Sequence, residues 1–249
     1  ILAEDNILGE DILLSDSSRE NSDHYLSLDY QIFASKALTQ TSKLVFSGGG
    51  QLHAFVNESN YNRLMVDASV NYQKEFDKFN TSVGVKVTPL WLDKRYYRTQ
   101  FGSTIGINKQ INKQWFVATS AYLGKTNNRV NEQLNTNDLS LQMVAQFSLE
   151  KWRHTLSFAV SQEQSEHQEN SHNDKNTKAF NYSSLWLVNP QWLASINIGY
   201  QQQDYQEKQP FFLETRADDM WLIGAAIQYQ YSNVWTYSIS ANIQDKDRG

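Results

Sequence analysis

Apolar and polar side chains alternate one by one along much of the chain. From residue 63 to residue 73, for example, the apolar side chains of Leu64, Val66 and Val70 fall on even positions and most polar ones on odd positions. Because successive side chains of a strand point to opposite faces, this pattern predicts a strand with one apolar and one wet face. The alternation recurs at residues 79–88, 139–147, 156–160, 192–200, 221–229 and 235–243, with weaker strand patterns near 25–33, 44–56, 97–108, 115–123 and 180–188. The total is about twelve strands.

The length of these strands favours a membrane protein. A soluble β-sandwich or barrel, whose core would take the apolar set, is the alternative. Strands in soluble proteins usually have about 5–6 residues, whereas about 9–11 are needed to cross a bilayer at a tilt. Alternation over ten or more positions therefore predicts strands that span a membrane.

The connections between the predicted strands alternate in length. Short polar turns are predicted at 74–78, 109–113, 150–151, 189–191 and 232–233, and long hydrophilic loops at 125–138, 162–178 and 201–218. Short periplasmic turns and long outer loops are typical of barrels in the bacterial outer membrane. The sequence thus predicts an all-β fold, a transmembrane antiparallel up-and-down β-barrel that forms a single domain over residues 1–249. We expect about fourteen strands in the full protein, roughly twelve or thirteen of them here, with terminal strands truncated or missing and an upstream periplasmic domain absent.

Four of the short turns are followed at once by a tryptophan: Trp115, Trp152, Trp192 and Trp235. Amphipathic rings are enriched where a membrane meets water, so these residues predict one arc of an aromatic girdle. The run Gly48-Gly49-Gly50 predicts a bend or bulge in the barrel wall.

The composition argues against several other kinds of structure and partner. A mean hydropathy of -0.60 and 20% charged residues fit the absence of any apolar run long enough for a transmembrane helix. The chain has no cysteine, which excludes disulfides and thiolate metal sites. A net charge of -5 argues against nucleic acid as a partner, because phosphate binding requires clustered Lys and Arg.

Candidate chemistry is sparse. His167, His172 and Asp174 lie in one polar loop without the spacing of a zinc site, and no Gly-x-Ser-x-Gly motif occurs. We therefore expect no catalytic residue, no metal, no cofactor and no enzymatic activity.

Four ionisable residues are predicted to point inward on three successive strands: Arg63, Asp67, Lys86 and Arg98. One interpretation is that a wet lumen simply tolerates charge. The other is that these residues form a charged lumen wall that touches passing cargo.

Short motifs carry a family resemblance. They are Glu4-Asp5-Asn6-Ile7, the Tyr-rich strand end at 200–205, Pro210-Phe211-Phe212, Arg216-Ala217-Asp218-Asp219, and the stretch 237–247. In these motifs the chain resembles the barrel of the surface lipoprotein assembly modulators, whose members carry a periplasmic tetratricopeptide domain before a barrel of about fourteen strands. We expect neither the tetratricopeptide region nor the final strand of that barrel within residues 1–249.

The resemblance implies an outer-membrane translocator or conduit that delivers lipoproteins or small secreted proteins to the bacterial cell surface. Its implied partners are outer-membrane lipid and a secreted protein or lipoprotein cargo. Related barrels export polysaccharide, so a polysaccharide exporter or a passive solute pore is the alternative.

Overall fold

Long β-strands make up nearly all of the protein. The computed structural model describes residues 25–55, 62–208, 215–231 and 236–248. The strands are β1 (Tyr25–Ala37), β2 (Ser42–Phe55), β3 (Arg63–Glu75), β4 (Asn80–Leu92), β5 (Arg95–Gln110), β6 (Trp115–Asn128), β7 (Thr136–Ser148), β8 (Trp152–Ser165), β9 (Lys175–Asn189), β10 (Trp192–Lys208), β11 (Thr215–Gln230) and β12 (Thr236–Arg248). Two short 3₁₀ turns, Glu132–Leu134 and Gln168–Asn173, complete the elements. No helix within these ranges has the length and apolar character to cross a membrane.

Each strand pairs with the next one along the chain. All pairings are antiparallel, and the strand order is that of the sequence, from β1 at one end of the described sheet to β12 at the other. This confirms the predicted all-β, antiparallel up-and-down architecture and the expectation of about twelve strands in this chain. The connections that follow β1, β3, β5, β7, β9 and β11 lie at one end of the sheet, which we call the short-turn end. Those that follow the even-numbered strands lie at the other end.

The strands extend farther than the alternation predicted. Residues 125–138 were predicted to be a loop, yet β6 continues to Asn128 and β7 begins at Thr136, so that the connection is residues 129–135. The predicted loop at 162–178 likewise shrinks to residues 166–174. These strand ends carry polar side chains on both faces, so period-two alternation is lost although the backbone ladder continues.

A tight turn breaks the predicted alternation of connection lengths. β4 and β5 are joined only by Asp93 and Lys94, at the end of the sheet where long connections were expected. Both residues have positive φ, 44° and 65°. Positive φ at both central residues is the geometry of a type I′ hairpin turn, whose twist matches that of the flanking strands.

The two faces of the sheet have opposite polarity, and the apolar face is the exposed one. Large apolar side chains at alternate positions point outward, such as Val85 (58% exposed), Ile105 (63%) and Ile223 (53%). In the described residues only Leu90, Ala159 and Tyr205 are buried hydrophobics. A soluble fold would bury its apolar set, so this arrangement suits a sheet that faces lipid.

The glycine run in β2 does not form the predicted bulge. Residues 48–50 keep a continuous register with both β1 and β3. The glycines instead make room for side chains of neighbouring strands. The Tyr30 ring lies over Gly50, and the Asp67 carboxylate lies beside Gly49. The register shifts of the sheet lie elsewhere, at Leu90/Trp91, Trp192/Leu193 and Asp204/Lys208.

A glycine in β5 provides a test of wall packing. A Cβ atom on Gly102 would collide with two backbone groups, the Leu123 carbonyl oxygen and Gly124 Cα, whereas a Cβ on Gly48 would make ordinary contacts. We expect Gly102→Ala to lower the free energy of unfolding by about 1–3 kcal/mol, as overpacking does. Gly48→Ala is the matched control and should be near neutral. Urea unfolding in detergent micelles, followed by tryptophan fluorescence, measures both, and equal midpoints would contradict the packing described.

Candidate functional site

The polar face of the sheet is the candidate functional site, and we call it the inner wall. On this face, side chains from strands that are not neighbours meet. Gln100 of β5 donates to Asp138 of β7 at 3.1 Å, and Thr104 of β5 donates to Asn71 of β3 at 3.3 Å. Contacts that skip a strand require a concave surface, so the inner wall is the inside of the curved sheet.

Glycines allow these contacts. Gly84 of β4 stands in register between Asn71 and Thr104, and the Asn71 amide lies where a Cβ of Gly84 would be. Gly124 of β6 similarly has the Tyr122 ring across it. Side chains therefore lie flat along the inner wall and bond across a strand.

All four residues predicted to face inward lie on the inner wall and are half-buried: Arg63, Asp67, Lys86 and Arg98. Arg63 Nε donates to His53 Nδ1 at 3.1 Å. Asp67 faces Gly49 across β2 and β3. Lys86 lies on β4, the strand next to that of Asp67, and its register partner on β5 is Gly102. Arg98 lies towards the end opposite the short turns, where the structure brings it to a second group of charges.

Asp138 of β7 is the centre of that second group. Its carboxylate accepts hydrogen bonds from Gln100 Nε2 at 3.1 Å, Thr126 Oγ1 at 2.8 Å and Thr136 Oγ1 at 2.9 Å. Thr126 and Thr136 are 7% and 9% exposed, so water has little access to their hydroxyls. Hydrogen bonds to an ionised carboxylate are stronger than neutral ones, and Asp138 thereby ties three strands together.

Glu163 and Lys175 continue the charged row along the wall. Asp138, Glu163 and Lys175 are in register on β7, β8 and β9, and Lys175 Nζ lies 3.7 Å from Glu163 Oε2. Arg98 and Glu163 line one small polar cavity. Two acidic groups on neighbouring strands are thus followed by a basic one on the next strand, and the wall carries both signs of charge.

Two connections opposite the short-turn end reach this part of the wall. Leu134 lines the same cavity as Arg98 and Glu163, and Asn128 Nδ2 donates to the Leu134 carbonyl oxygen at 2.5 Å. The next connection is tied to the first, because Asn170 Nδ2 donates to the Gln133 carbonyl oxygen at 2.8 Å. Residues 129–135 therefore lean over the inner wall and are held in place by 166–174.

A third charged cluster lies on β10 and β11. Arg216 Nε donates to Asp218 Oδ1 at 2.9 Å, and the Arg216 guanidinium lies 4.9 Å from the centre of the Tyr205 ring. Asp218 is only 2% exposed, and Gln203, its register partner, is 4% exposed. The Arg216 guanidinium compensates the charge of this buried carboxylate, and the Tyr205 ring packs against the same guanidinium.

Apart from Arg98, the residues of these second and third clusters were not predicted from the sequence. The signal was present, because the alternation of β7 puts Ser140 and Gln142 on the wet face, and the same parity two residues earlier reaches Asp138. The parity of β8 reaches Glu163 in the same way. Asp138 and Glu163 were not predicted to face inward because both stretches were predicted to be loops.

The predicted girdle residues lie on the apolar outer face. Trp115, Trp152 and Trp192 are the first residues of β6, β8 and β10 at the short-turn end, and each is 41% or 42% exposed. Trp152 stacks on Trp186 with ring centres 5.2 Å apart, and Trp115 contacts Phe147 at 4.8 Å. Trp235, the fourth predicted residue, lies outside the described residues.

Comparison with known proteins agrees with this geometry. The family model described as surface lipoprotein assembly modifier matches residues 14–235. No curated protein matches the chain in sequence. Among solved structures, the chain is similar to OmpTdeltaL8, the loop L8 deletion mutant of OmpT, an outer membrane protein of Vibrio cholerae. The TM-score is 0.55 at 8% identity, over 90% of this chain and 93% of that one, which shows a shared fold.

The Asp138 cluster can be tested by truncating the carboxylate. Asp138→Ala leaves the Gln100 amide and two buried hydroxyls without their acceptor, and we expect the free energy of unfolding to fall by about 1–3 kcal/mol. The connection 129–135 should also become more sensitive to limited proteolysis. Glu150→Ala, which removes an exposed carboxylate from a short turn, is the control. Identical proteolysis of the two variants would show that Asp138 does not hold this region.

Proposed function

Since the chain belongs to the surface lipoprotein assembly modifier family and is an outer-membrane β-barrel, we propose that it is a conduit that delivers lipoproteins or small secreted proteins to the cell surface. The observation that carries the proposal is the mixed-charge inner wall. Cations and anions stand next to each other there, as at Glu163 and Lys175, on the concave side of a sheet whose convex side is apolar.

A polypeptide suits such a wall because a peptide chain carries both signs of charge together with amide donors and acceptors. A polysaccharide exporter would be expected to have an acidic or aromatic lumen. The inner wall instead includes Arg63, Lys86 and Arg98 next to its acidic groups. In pores, rings of charged side chains select what passes, so this wall favours a protein cargo over a polysaccharide or a passive solute.

We further propose an orientation and a domain organisation. The short-turn end faces the periplasm, and Trp115, Trp152, Trp192 and Trp235 lie in the membrane interface on that side. Residues 1–249 belong to one barrel domain, a proposal supported by the unbroken strand order from β1 to β12. The barrel performs no covalent chemistry and needs no cofactor, because its task is passage.

Neutralising the four wall charges tests the conduit. The variant R63Q/D67N/K86Q/R98Q removes three positive charges and one negative charge from the inner wall. We expect surface exposure of a coexpressed lipoprotein and single-channel conductance in planar bilayers to change, because charges that line a pore set what passes through it. Heat-modifiable migration in gels should remain and show that the barrel has folded.

K113Q/K151Q is the matched control for that experiment. It also removes a net two positive charges, from exposed lysines in short turns. If the wall variant and the control both behave like the unmodified protein, the wall does not contact cargo. Steady conductance that changes in the wall variant without any effect on lipoprotein exposure would favour the passive pore.

The depth of Trp152 tests the girdle. With the other six tryptophans replaced by phenylalanine, we expect brominated phospholipids to quench its fluorescence most strongly when the bromines lie near the headgroup. Trp221, an outer-face residue of β11, can be kept instead as a comparison. Strongest quenching of Trp152 by bromines near the chain ends would place it in the middle of the bilayer and contradict the girdle.

A further inference from the structure

The outer face carries an apolar groove that runs from the short-turn end towards the middle of β9. Its lining is mostly apolar and includes Phe79, Val117, Ala145, Phe158 and Phe180. The hydroxyl of Thr119, which also lines it, donates to the Gln142 carbonyl oxygen at 3.0 Å. That hydroxyl is therefore satisfied within the protein, and the groove offers an occupant mainly hydrocarbon contacts.

Strand register explains why a depression forms at this place. Val117 and Ala145 are register partners on β6 and β7 and are small. The row on the short-turn side of them has the larger pair Trp115 and Phe147. The row on the other side has Met143 paired with Phe158. Two small side chains between rows of large ones leave a channel across the strands.

Two lysines stand at the short-turn end of this channel. Lys109 is the register partner of Val117 and so ends the row of small residues, and Lys78 of the neighbouring turn also lines the groove. Both are exposed. Within the ranges that the structure describes, neither ammonium forms an ion pair with a carboxylate. Their charge is thus available to an anionic ligand.

We propose that this groove binds one anionic glycerophospholipid, with an acyl chain along the groove and the phosphate between Lys78 and Lys109. An apolar channel with two ammonium groups at one end matches a glycerophospholipid, in which the glycerol joins the acyl chains to the phosphate. The phosphate would then lie at the proposed membrane–water interface, because Trp115 and Trp152 lie at the same end of the sheet. The site requires an outer-membrane barrel, but it does not require that the barrel transports cargo.

An acylated lipoprotein is the competing occupant. Its lipid anchor would offer the same hydrocarbon to the groove but no phosphate to the lysines. The two ammonium groups without acidic partners therefore favour the phospholipid, because basic side chains near a membrane surface attract anionic lipid headgroups.

Native mass spectrometry of the full chain in detergent tests the site directly. The probes are phosphatidylglycerol, phosphatidylcholine with the same acyl chains, and a diacylated lipopeptide. We expect phosphatidylglycerol to be retained best. K78Q/K109Q should lower its affinity by about tenfold or more, with little change for phosphatidylcholine. A145F, which fills the channel, should reduce retention of both phospholipids.

Matched controls separate these effects from general damage. K113Q removes a lysine of the next short turn that does not line the groove, and A225F places a ring on an exposed outer-face alanine of β11. Both should bind as the unmodified protein does. Undiminished phosphatidylglycerol binding by K78Q/K109Q overturns the proposal even if A145F fails to fold. Lipopeptide that displaces phosphatidylglycerol and is indifferent to the lysine substitutions overturns it as well and assigns the groove to acylated cargo. Because no cargo transport is measured, failure of the conduit proposal leaves this result unaffected.

Discussion

An unpaired backbone N–H or C=O group costs several kcal/mol in hydrocarbon, and this cost is the constraint on which the structure depends. The antiparallel ladder from β1 to β12 meets it by giving each inner strand two partners. A continuous ladder in turn requires long strands of matched register. It also separates the side chains into two sets, because alternate residues must point to opposite faces.

The inner wall follows from that separation. Polar side chains on a concave surface crowd together, and the wall accommodates them by placing glycines where a neighbour's side chain must lie flat. Asn71 thus reaches Thr104 over Gly84, and Asp138 accepts hydrogen bonds from its own strand and from the two strands before it. These hydrogen bonds satisfy polar groups that are buried from water, so the wall is ordered without an apolar core.

Much of this fold could be predicted from the sequence because period-two alternation is a local signal. It located about twelve strands and the apolar outer face. The alternation gave the wrong strand ends where the difference in polarity between the two faces disappears. Beyond the apolar band both faces are polar, so the ends of β6 to β11 were taken for loops. The Asp93-Lys94 turn was missed because neither residue is a glycine, the usual sign of positive φ.

The sequence by itself therefore determined which face each side chain occupies, since that depends only on the parity of its position in a strand. Only the tertiary structure decided which side chains meet. The cluster around Asp138 and the groove lined by Val117 and Ala145 depend on the register of neighbouring strands. Register is set by the turns and by pairing along the whole ladder, and alternation within one strand carries no information about where its neighbour's residues stand.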